Sequence, residues 1–199
     1  MHRIILASAS PRRKEILGNI VEDFEIKVSE VDERAIEEQV LRTTDDMVEA
    51  GRLMTVLLGK AKANAVFEEE DDKDVTVIGA DTCVVTRDEI LGKPKDREDA
   101  RRMLRKLAGQ KHYVITGVAL ISKDKVRTFY EETEVEFADA DDFAEDAIER
   151  YIASDEPYDK AGAYAIQGRG GVLVKRINGD FYNVMGLPLS RLAKELWTF

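Results

Sequence analysis

The stretch "RIILASASPRRKEIL" (residues 3–17) connects a strand pattern directly to a helix pattern. Its first part is a run of apolar residues, which is typical of a buried strand. Its last part, "PRRKEIL", predicts a helix with Pro11 near its beginning, where the missing proline N–H is tolerated. A strand that leads into a helix is the building unit of α/β proteins, so this stretch indicates that fold class.

The turn between the two patterns carries Ser8, Ser10, Arg12 and Arg13. In one interpretation Ser10 caps the helix and the two arginines lie on the surface. In the other, the serine hydroxyls, the free N–H groups of the helix and the two guanidiniums bind an anion such as a phosphate group. The stretch alone leaves both interpretations open.

Strand and helix patterns alternate along the rest of the chain. Strands are predicted at residues 1–8, 24–31, 75–85, 112–122, 125–138 and 172–177, and helices at residues 46–66, 96–108, 142–153 and 187–197. The order lacks the regularity of repeated βαβ units. We therefore expect an α/β fold with a mixed sheet and helices on both sides, in a single domain over residues 1–199.

Composition excludes several classes of function. The net charge of −10 argues against a nucleic-acid partner, although a local basic cluster can still bind a small anion. One cysteine forms no internal disulfide, and with two histidines it cannot build a Cys/His zinc site. No apolar run approaches the roughly 20 residues that span a bilayer, and residues 1–17 lack signal-peptide features. We expect a cytoplasmic protein with no membrane partner.

Asp81 interrupts the apolar run "VTVIGADTCVV" (75–85). A carboxylate in such a run is costly unless it is paired, hydrogen-bonded or bound to a metal. Gly79 permits a bulge or the close approach of another backbone segment. The pattern favours a general base or a metal ligand at a strand end that faces a cleft, and the alternative is an ordinary turn aspartate.

Three lysines are weaker candidates. Lys93 is held on a rigid turn by Gly92 and Pro94, and this local pattern favours a plain surface lysine over a functional one. Lys60 and Lys62 are two residues apart on a predicted helix, so they point to different faces, and ordinarily both are solvated.

The segment at residues 154–171 predicts a long glycine-rich loop that approaches a ligand. The Gln167 amide can donate to and accept from the edge of a nucleobase, while the alternative is a purely structural loop. His112 and Cys83 are predicted to be structural, as a hydrogen-bonded residue at a strand start and a small buried side chain.

Taken together, the segments resemble the Maf family of nucleotide pyrophosphatases. They occur in the family's order between residues 4 and 189 and read "LASASPRRKEIL", "SEVDE", "KAKA", "VIGADT", "LGKP", "ITGVAL", "SDEPYDKAGAYAIQG" and "INGDFYNVMGLPL". The resemblance implies an enzyme that hydrolyses nucleoside triphosphates to the monophosphate and pyrophosphate with Mg²⁺ or Mn²⁺. It also implies an elongated mixed sheet with two lobes around a cleft, as in the inosine triphosphate pyrophosphatases, and it alone suggests a homodimer.

The resemblance also implies roles for single residues. Asp81 matches the family's proton acceptor, and Glu33 matches its acidic residue near the metal; whether Asp81 is base, metal ligand or both stays open. The phosphate-cleft residues of the family match Ser8, Arg12, Arg13, Lys60 and Lys93. The subgroup that prefers dTTP and UTP is marked by residues that match Arg12, Thr82 and Gln167.

Two other functions use similar residues. One is a non-catalytic nucleotide-binding regulator of cell division, and the other is a phosphatase that releases orthophosphate.

Overall fold

The computed structural model describes residues 3–28 and 30–199. The strands are β1 (Arg3–Ala7), β2 (Glu25–Ile26), β3 (Val75–Val85), β4 (Ile90–Leu91), β5 (Lys111–Ile121), β6 (Val126–Phe137) and β7 (Val174–Asn178). The helices are α1 (Pro11–Leu17), α2 (Glu33–Leu41), α3 (Met47–Glu69), α4 (Arg97–Leu107), α5 (Asp142–Ile152), α6 (Phe181–Met185) and α7 (Leu189–Trp197). Between α5 and β7 lie three short 3₁₀ segments, Pro157–Asp159, Ala161–Ala163 and Gly168–Leu173.

The strands form one mixed sheet of seven strands in the order β2-β1-β3-β5-β6-β7, with β4 paired to β3. β1 is parallel to both β2 and β3, whereas β3, β5, β6 and β7 pair antiparallel in succession. The mixed sheet and the α/β class predicted from the alternating patterns are therefore confirmed.

Helices cover both faces of the sheet. One face packs against α3, where Ala63 and Val66 contact the apolar residues of β1, β3 and β5. The opposite face packs against α1 and α7 through Ile16, Leu17 and Leu192. A further apolar cluster joins α4, α5 and the 3₁₀ segments to β5 and β6. Helices on both sides of the sheet were expected, and the structure confirms them.

The helix α3 lies directly on the sheet because glycines remove the side chains between them. A Cβ atom on Gly79 would lie 2.1 Å from the Gly59 carbonyl oxygen, and one on Gly117 would lie 2.2 Å from the Thr55 carbonyl carbon. The expected close approach of another backbone at Gly79 is thus made by α3. This contact fixes where the middle of α3 lies on β3 and β5.

Two expectations about single elements are corrected, and one helix was missed. β3 runs without a break through Gly79 and Asp81, because every residue from Val77 to Val85 pairs with β5. The strand predicted at 24–31 shrinks to Glu25–Ile26, both exposed at the sheet edge, and its position 29 lies outside the described residues. The helix α2 was not predicted, because its residues are mostly exposed and carry little apolar periodicity.

Across the described residues, no helix is both long enough and apolar enough to cross a bilayer.

Candidate functional site

A cavity of about 420 Å³ lies beyond the carboxyl end of β1, and a second of about 440 Å³ adjoins it. β1 pairs with β3 only as far as Ala7 and Gly79, whereas β3 continues to Val85. Asp81 therefore lies past the end of its neighbouring strand, in the position where open α/β sheets bind ligands. Seven residues line both volumes: Ser10, Arg12, Arg13, Glu33, Lys62, Lys93 and Asp159.

Asp81 is paired with a lysine of α3. The Lys62 ammonium lies 2.6 Å from Asp81 Oδ1 and 2.8 Å from Glu33 Oε1. Burial lowers the pKa of Lys62, but the two carboxylates outweigh it, so the pKa is raised above its ordinary value. Lys62 is therefore a charged cation held between two anions. This pairing accounts for a carboxylate in the middle of an apolar strand.

A third carboxylate, that of Glu37, lines the cavity one helical turn after Glu33. Burial raises the pKa of Glu37, the charges of Glu33 and Asp81 raise it further, and Lys62 opposes them. The wall of the cavity formed by α2 is thus negative, and the wall formed by α1 is positive.

Arg13 is a half-buried residue whose guanidinium donates to neutral partners. Its Nε donates to the Gly186 carbonyl oxygen at 2.8 Å, its Nη1 to Ser8 Oγ at 3.2 Å and its Nη2 to Thr82 Oγ1 at 2.9 Å. Burial lowers the pKa of Arg13, Asp81 opposes that shift and Arg12 adds to it. Arginine still stays protonated, because its ordinary pKa is far above neutral. No carboxylate of the described residues forms an ion pair with it, so its charge is left for a ligand in the cavity.

The turn before α1 serves as a helix cap and as a cavity wall at the same time. Ser10 is the N-cap of α1 and accepts from the Arg13 backbone N–H, and its own N–H donates to Ser8 Oγ. Ser8 is buried, and Ser10 lines both cavities. The two interpretations of this turn are therefore compatible in geometry.

Two further cations border the cavity. Arg12 lies 3.8 Å from Asp159 of the first 3₁₀ segment, an ion pair that crosses from α1 to the glycine-rich segment. Lys93 follows β4, is exposed and lines both volumes. Among the described residues, Lys93 has no carboxylate within ion-pair distance.

Many of the residues that line only the first cavity are apolar. They include Met54, Leu58, Val84, Ile90, Val114, Tyr164 and Ile166, and Gln167 also lines this cavity. Tyr164 anchors this wall from behind, since its hydroxyl lies 2.8 Å from His112 Nε2 in a buried contact. Gln167 is half-buried and contributes the amide expected from the sequence.

The structure brings most of the predicted site residues together and leaves one of them outside the cavities. Ser8, Arg12, Arg13, Glu33, Asp81, Thr82, Lys93 and Gln167 line one or both volumes. Lys60 does not line either volume and is exposed on α3, whereas Lys62 occupies the site. Two residues along a helix turn the side chain by about 200°, which places Lys60 on the solvent side.

Lys62 could have been found from the periodicity of α3. Ala50, Met54 and Leu58 are buried at steps of four residues, and the next step along that row is Lys62. A lysine that continues a buried row must find a partner, and Asp81 is that partner.

Comparisons with known proteins identify a family and several relatives. The family model described as "Maf-like protein" matches residues 3–199. A protein of Bacillus anthracis named dTTP/UTP pyrophosphatase is 48% identical over 199 residues, covering 100% of this chain and 96% of the relative. A Bacillus cereus protein of the same name is 49% identical over 199 residues, covering 100% of this chain and 91% of the relative. The solved structure of the Staphylococcus aureus Ham1 protein is 16% identical with a TM-score of 0.45, covering 69% of this chain and 72% of that chain. Because the family model matches nearly the whole of this chain, the chain belongs to the Maf family.

Proposed function

We propose that the protein hydrolyses dTTP and UTP to the nucleoside monophosphate and pyrophosphate. The observation that carries the proposal is the Arg13 guanidinium, which forms no ion pair with a carboxylate of the described residues and lines the same cavity as the Lys62–Asp81 pair. The relatives at 48% and 49% identity bear the name dTTP/UTP pyrophosphatase, which supports the substrate class.

The triphosphate binds among the cations at the junction of the two volumes. A triphosphate carries about four negative charges, so it needs several cations, and developing charge on the leaving pyrophosphate must be stabilised. Arg13 is pre-positioned by its three neutral acceptors, and Lys93 is free of carboxylate partners among the described residues. When the substrate binds, Arg12 leaves its ion pair with Asp159 and binds a phosphate oxygen instead. Ser8 accepts from Arg13, and its hydroxyl proton is free to donate to the substrate.

Asp81 acts on the attacking water. Its carboxylate accepts a proton as the water oxygen forms a bond to the α-phosphorus. The bond between that phosphorus and the oxygen that bridges to the β-phosphorus breaks, and pyrophosphate leaves. Lys62 holds the Asp81 carboxylate in place, because its ammonium lies 2.6 Å from Oδ1.

The residues present fit a divalent cation that is bound together with phosphate. No group of three or more His, Cys, Asp or Glu side chains is arranged to hold a metal in residues 3–28 and 30–199. However, Glu33 and Asp81 converge on one cation, the Lys62 ammonium, and Mg²⁺ is commonly held by one or two carboxylates plus substrate phosphates. We propose Glu33 and Asp81 as ligands of Mg²⁺ or Mn²⁺. When bound, the cation supplies charge neutralisation to the phosphates.

The pyrimidine base binds in the apolar part of the cavity, with the Gln167 amide on its edge. Few polar groups surround the base there, so the Gln167 amide contributes much of the discrimination between bases. The cytoplasmic location and the homodimer expected from the resemblance stay predictions.

The test is a product analysis. The protein is incubated with a panel of nucleoside triphosphates and Mg²⁺, and the products are separated by anion-exchange chromatography. We expect dTMP or UMP with pyrophosphate, and slow turnover of purine nucleotides. Release of orthophosphate would support the phosphatase instead, and binding without any product would support the non-catalytic regulator.

A further inference from the structure

We propose that Thr116, which does not line either cavity volume, is a positioning residue that holds the Arg13 guanidinium toward the substrate phosphates by way of Thr82. The inference rests on the proposed function in one respect: the anion that Arg13 holds is taken to be the phosphate chain of the substrate. Thr116 is fully buried, and it belongs to β5.

The sheet register places the two threonines opposite each other. Thr82 of β3 pairs with Thr116 of β5 in the antiparallel ladder, so their side chains project from the same face. The two Oγ1 atoms are 2.9 Å apart. Asp81, one residue earlier, faces the opposite side toward α3, because side chains alternate along a strand. The strand thus presents Asp81 to Lys62 and Thr82 to Arg13.

The hydrogen bonds between these residues have a defined direction. Thr116 Oγ1 donates its only proton to the Asn183 carbonyl oxygen at 3.1 Å. It therefore accepts from Thr82, whose only proton is used in that bond. The lone pairs of Thr82 Oγ1 are left to accept from Arg13 Nη2 at 2.9 Å. The chain of donors runs from Arg13 through Thr82 and Thr116 to Asn183.

Loss of the Thr116 hydroxyl would disturb two of the three anchors of Arg13. The Thr82 proton would need another acceptor, and the Gly186 carbonyl oxygen lies 3.5 Å away. That oxygen already accepts from Arg13 Nε at 2.8 Å. Competition for it would loosen the guanidinium at Nε and at Nη2. A shift of a phosphate ligand by a fraction of an ångström is costly to binding and to turnover.

The experiment measures the affinity for inorganic pyrophosphate by isothermal titration calorimetry. The variants are Thr116→Val, which keeps the shape without the hydroxyl, and Thr116→Ser, which keeps the hydroxyl. Thr55→Val is the matched control, because Thr55 is equally buried and its hydroxyl bonds only to α3 carbonyl oxygens. Each substitution is also made in an Arg13→Ala background. Thermal unfolding confirms that the variants fold, and Thr116→Ala replaces Thr116→Val if the latter does not.

We expect Thr116→Val to weaken pyrophosphate binding about three- to tenfold, and Thr116→Ser and Thr55→Val to stay within about twofold of the unsubstituted protein. In the Arg13→Ala background, Thr116→Val should have no further effect. An equal loss in Thr116→Ser or Thr55→Val would overturn the proposal. An undiminished effect of Thr116→Val in the Arg13→Ala background would also overturn it. Pyrophosphate binding without dTTP hydrolysis would overturn the proposed function alone. A protein that hydrolyses dTTP but binds no pyrophosphate would overturn the role of Thr116 alone.

Discussion

The Lys62 ammonium of α3 lies 2.6 Å from the Asp81 carboxylate of β3 and holds it in the lining of the first cavity. Both side chains are largely shielded from water, with 19% and 17% of their surfaces exposed. A pair of this kind contributes through position more than through net stability, because desolvation offsets much of the attraction. Removing one partner leaves an uncompensated charge on the other.

The first prediction compares two lysines of one helix. Lys62→Met should lower kcat/KM for dTTP at least about 100-fold, because Asp81 and Glu33 lose the cation between them. Lys60→Met should stay within about twofold, since Lys60 is exposed outside the cavity. Steady-state kinetics of the two variants measures the difference. Equal losses in both would contradict the placement of Lys62.

The second prediction concerns the base. Asp81→Asn should lower kcat by about 10²–10⁴, because an amide accepts no proton from water. Pyrophosphate binding should be retained, since the substitution removes a negative charge from the cavity. Single-turnover hydrolysis and calorimetry measure the two effects, and circular dichroism confirms the fold. A near-normal rate would remove Asp81 from the base role.

The third prediction concerns discrimination between bases. Gln167→Ala should shift the ratio of kcat/KM values for dTTP and GTP about tenfold or more, because the amide is a polar group in a largely apolar cavity wall. Pyrophosphate affinity should change less than twofold, because Gln167 is assigned to the base and not to the phosphates. Arg169→Ala is a control, as Arg169 is exposed nearby in the chain and does not line the cavity. An unchanged ratio would refute the role of Gln167.

The fourth prediction concerns the ion pair between Arg12 and Asp159, which both line the two cavities. Asp159 lies 3.8 Å from Arg12 and competes with phosphate for it. Asp159→Asn should raise pyrophosphate affinity about two- to fivefold in low salt, and the gain should shrink as salt screens the charge. Asp146→Asn serves as a control, because Asp146 pairs with Arg150 on α5 outside the cavity. A gain of equal size in the control would point to net charge alone.

The fifth prediction is a pH dependence of stability. Burial lowers the pKa of His112 to about 3, against an ordinary value near 6.5. The unfolded chain therefore binds a proton that the folded chain refuses, and stability is lost as the pH falls below 6.5 toward 3. Between pH 7 and pH 5 the free energy of unfolding should fall by about 2 kcal/mol more than in His112→Gln. Urea unfolding at several pH values measures it, and parallel curves for the two proteins would contradict the prediction.

Local patterns in the chain were sufficient for the class of fold and for much of the site. The alternation of strand and helix patterns predicted the mixed sheet, because apolar periodicity is a local property of each segment. The anomalies Asp81 and "SASPRR" were visible as polar groups in or beside apolar runs, and they do line the cavity. The segment pattern also identified the family. Asp81 was expected at a strand end, however, and it lies in mid-strand beyond the end of β1.

Only the tertiary structure distinguished between neighbouring residues of the same type. It placed Lys62 rather than Lys60 in the cavity lining. The direct contact of α3 with Gly79 and Gly117 fixes the rotation of this helix about its own axis. The tertiary structure showed Arg13 held by three neutral acceptors, one of them 173 residues away in the chain, and Arg12 paired with Asp159. It also showed that the Thr82 hydroxyl accepts a hydrogen bond from Arg13. Composition and spacing thus determined which kinds of group meet, whereas the packing of α3 and the register of β3 on β5 decided which atoms touch.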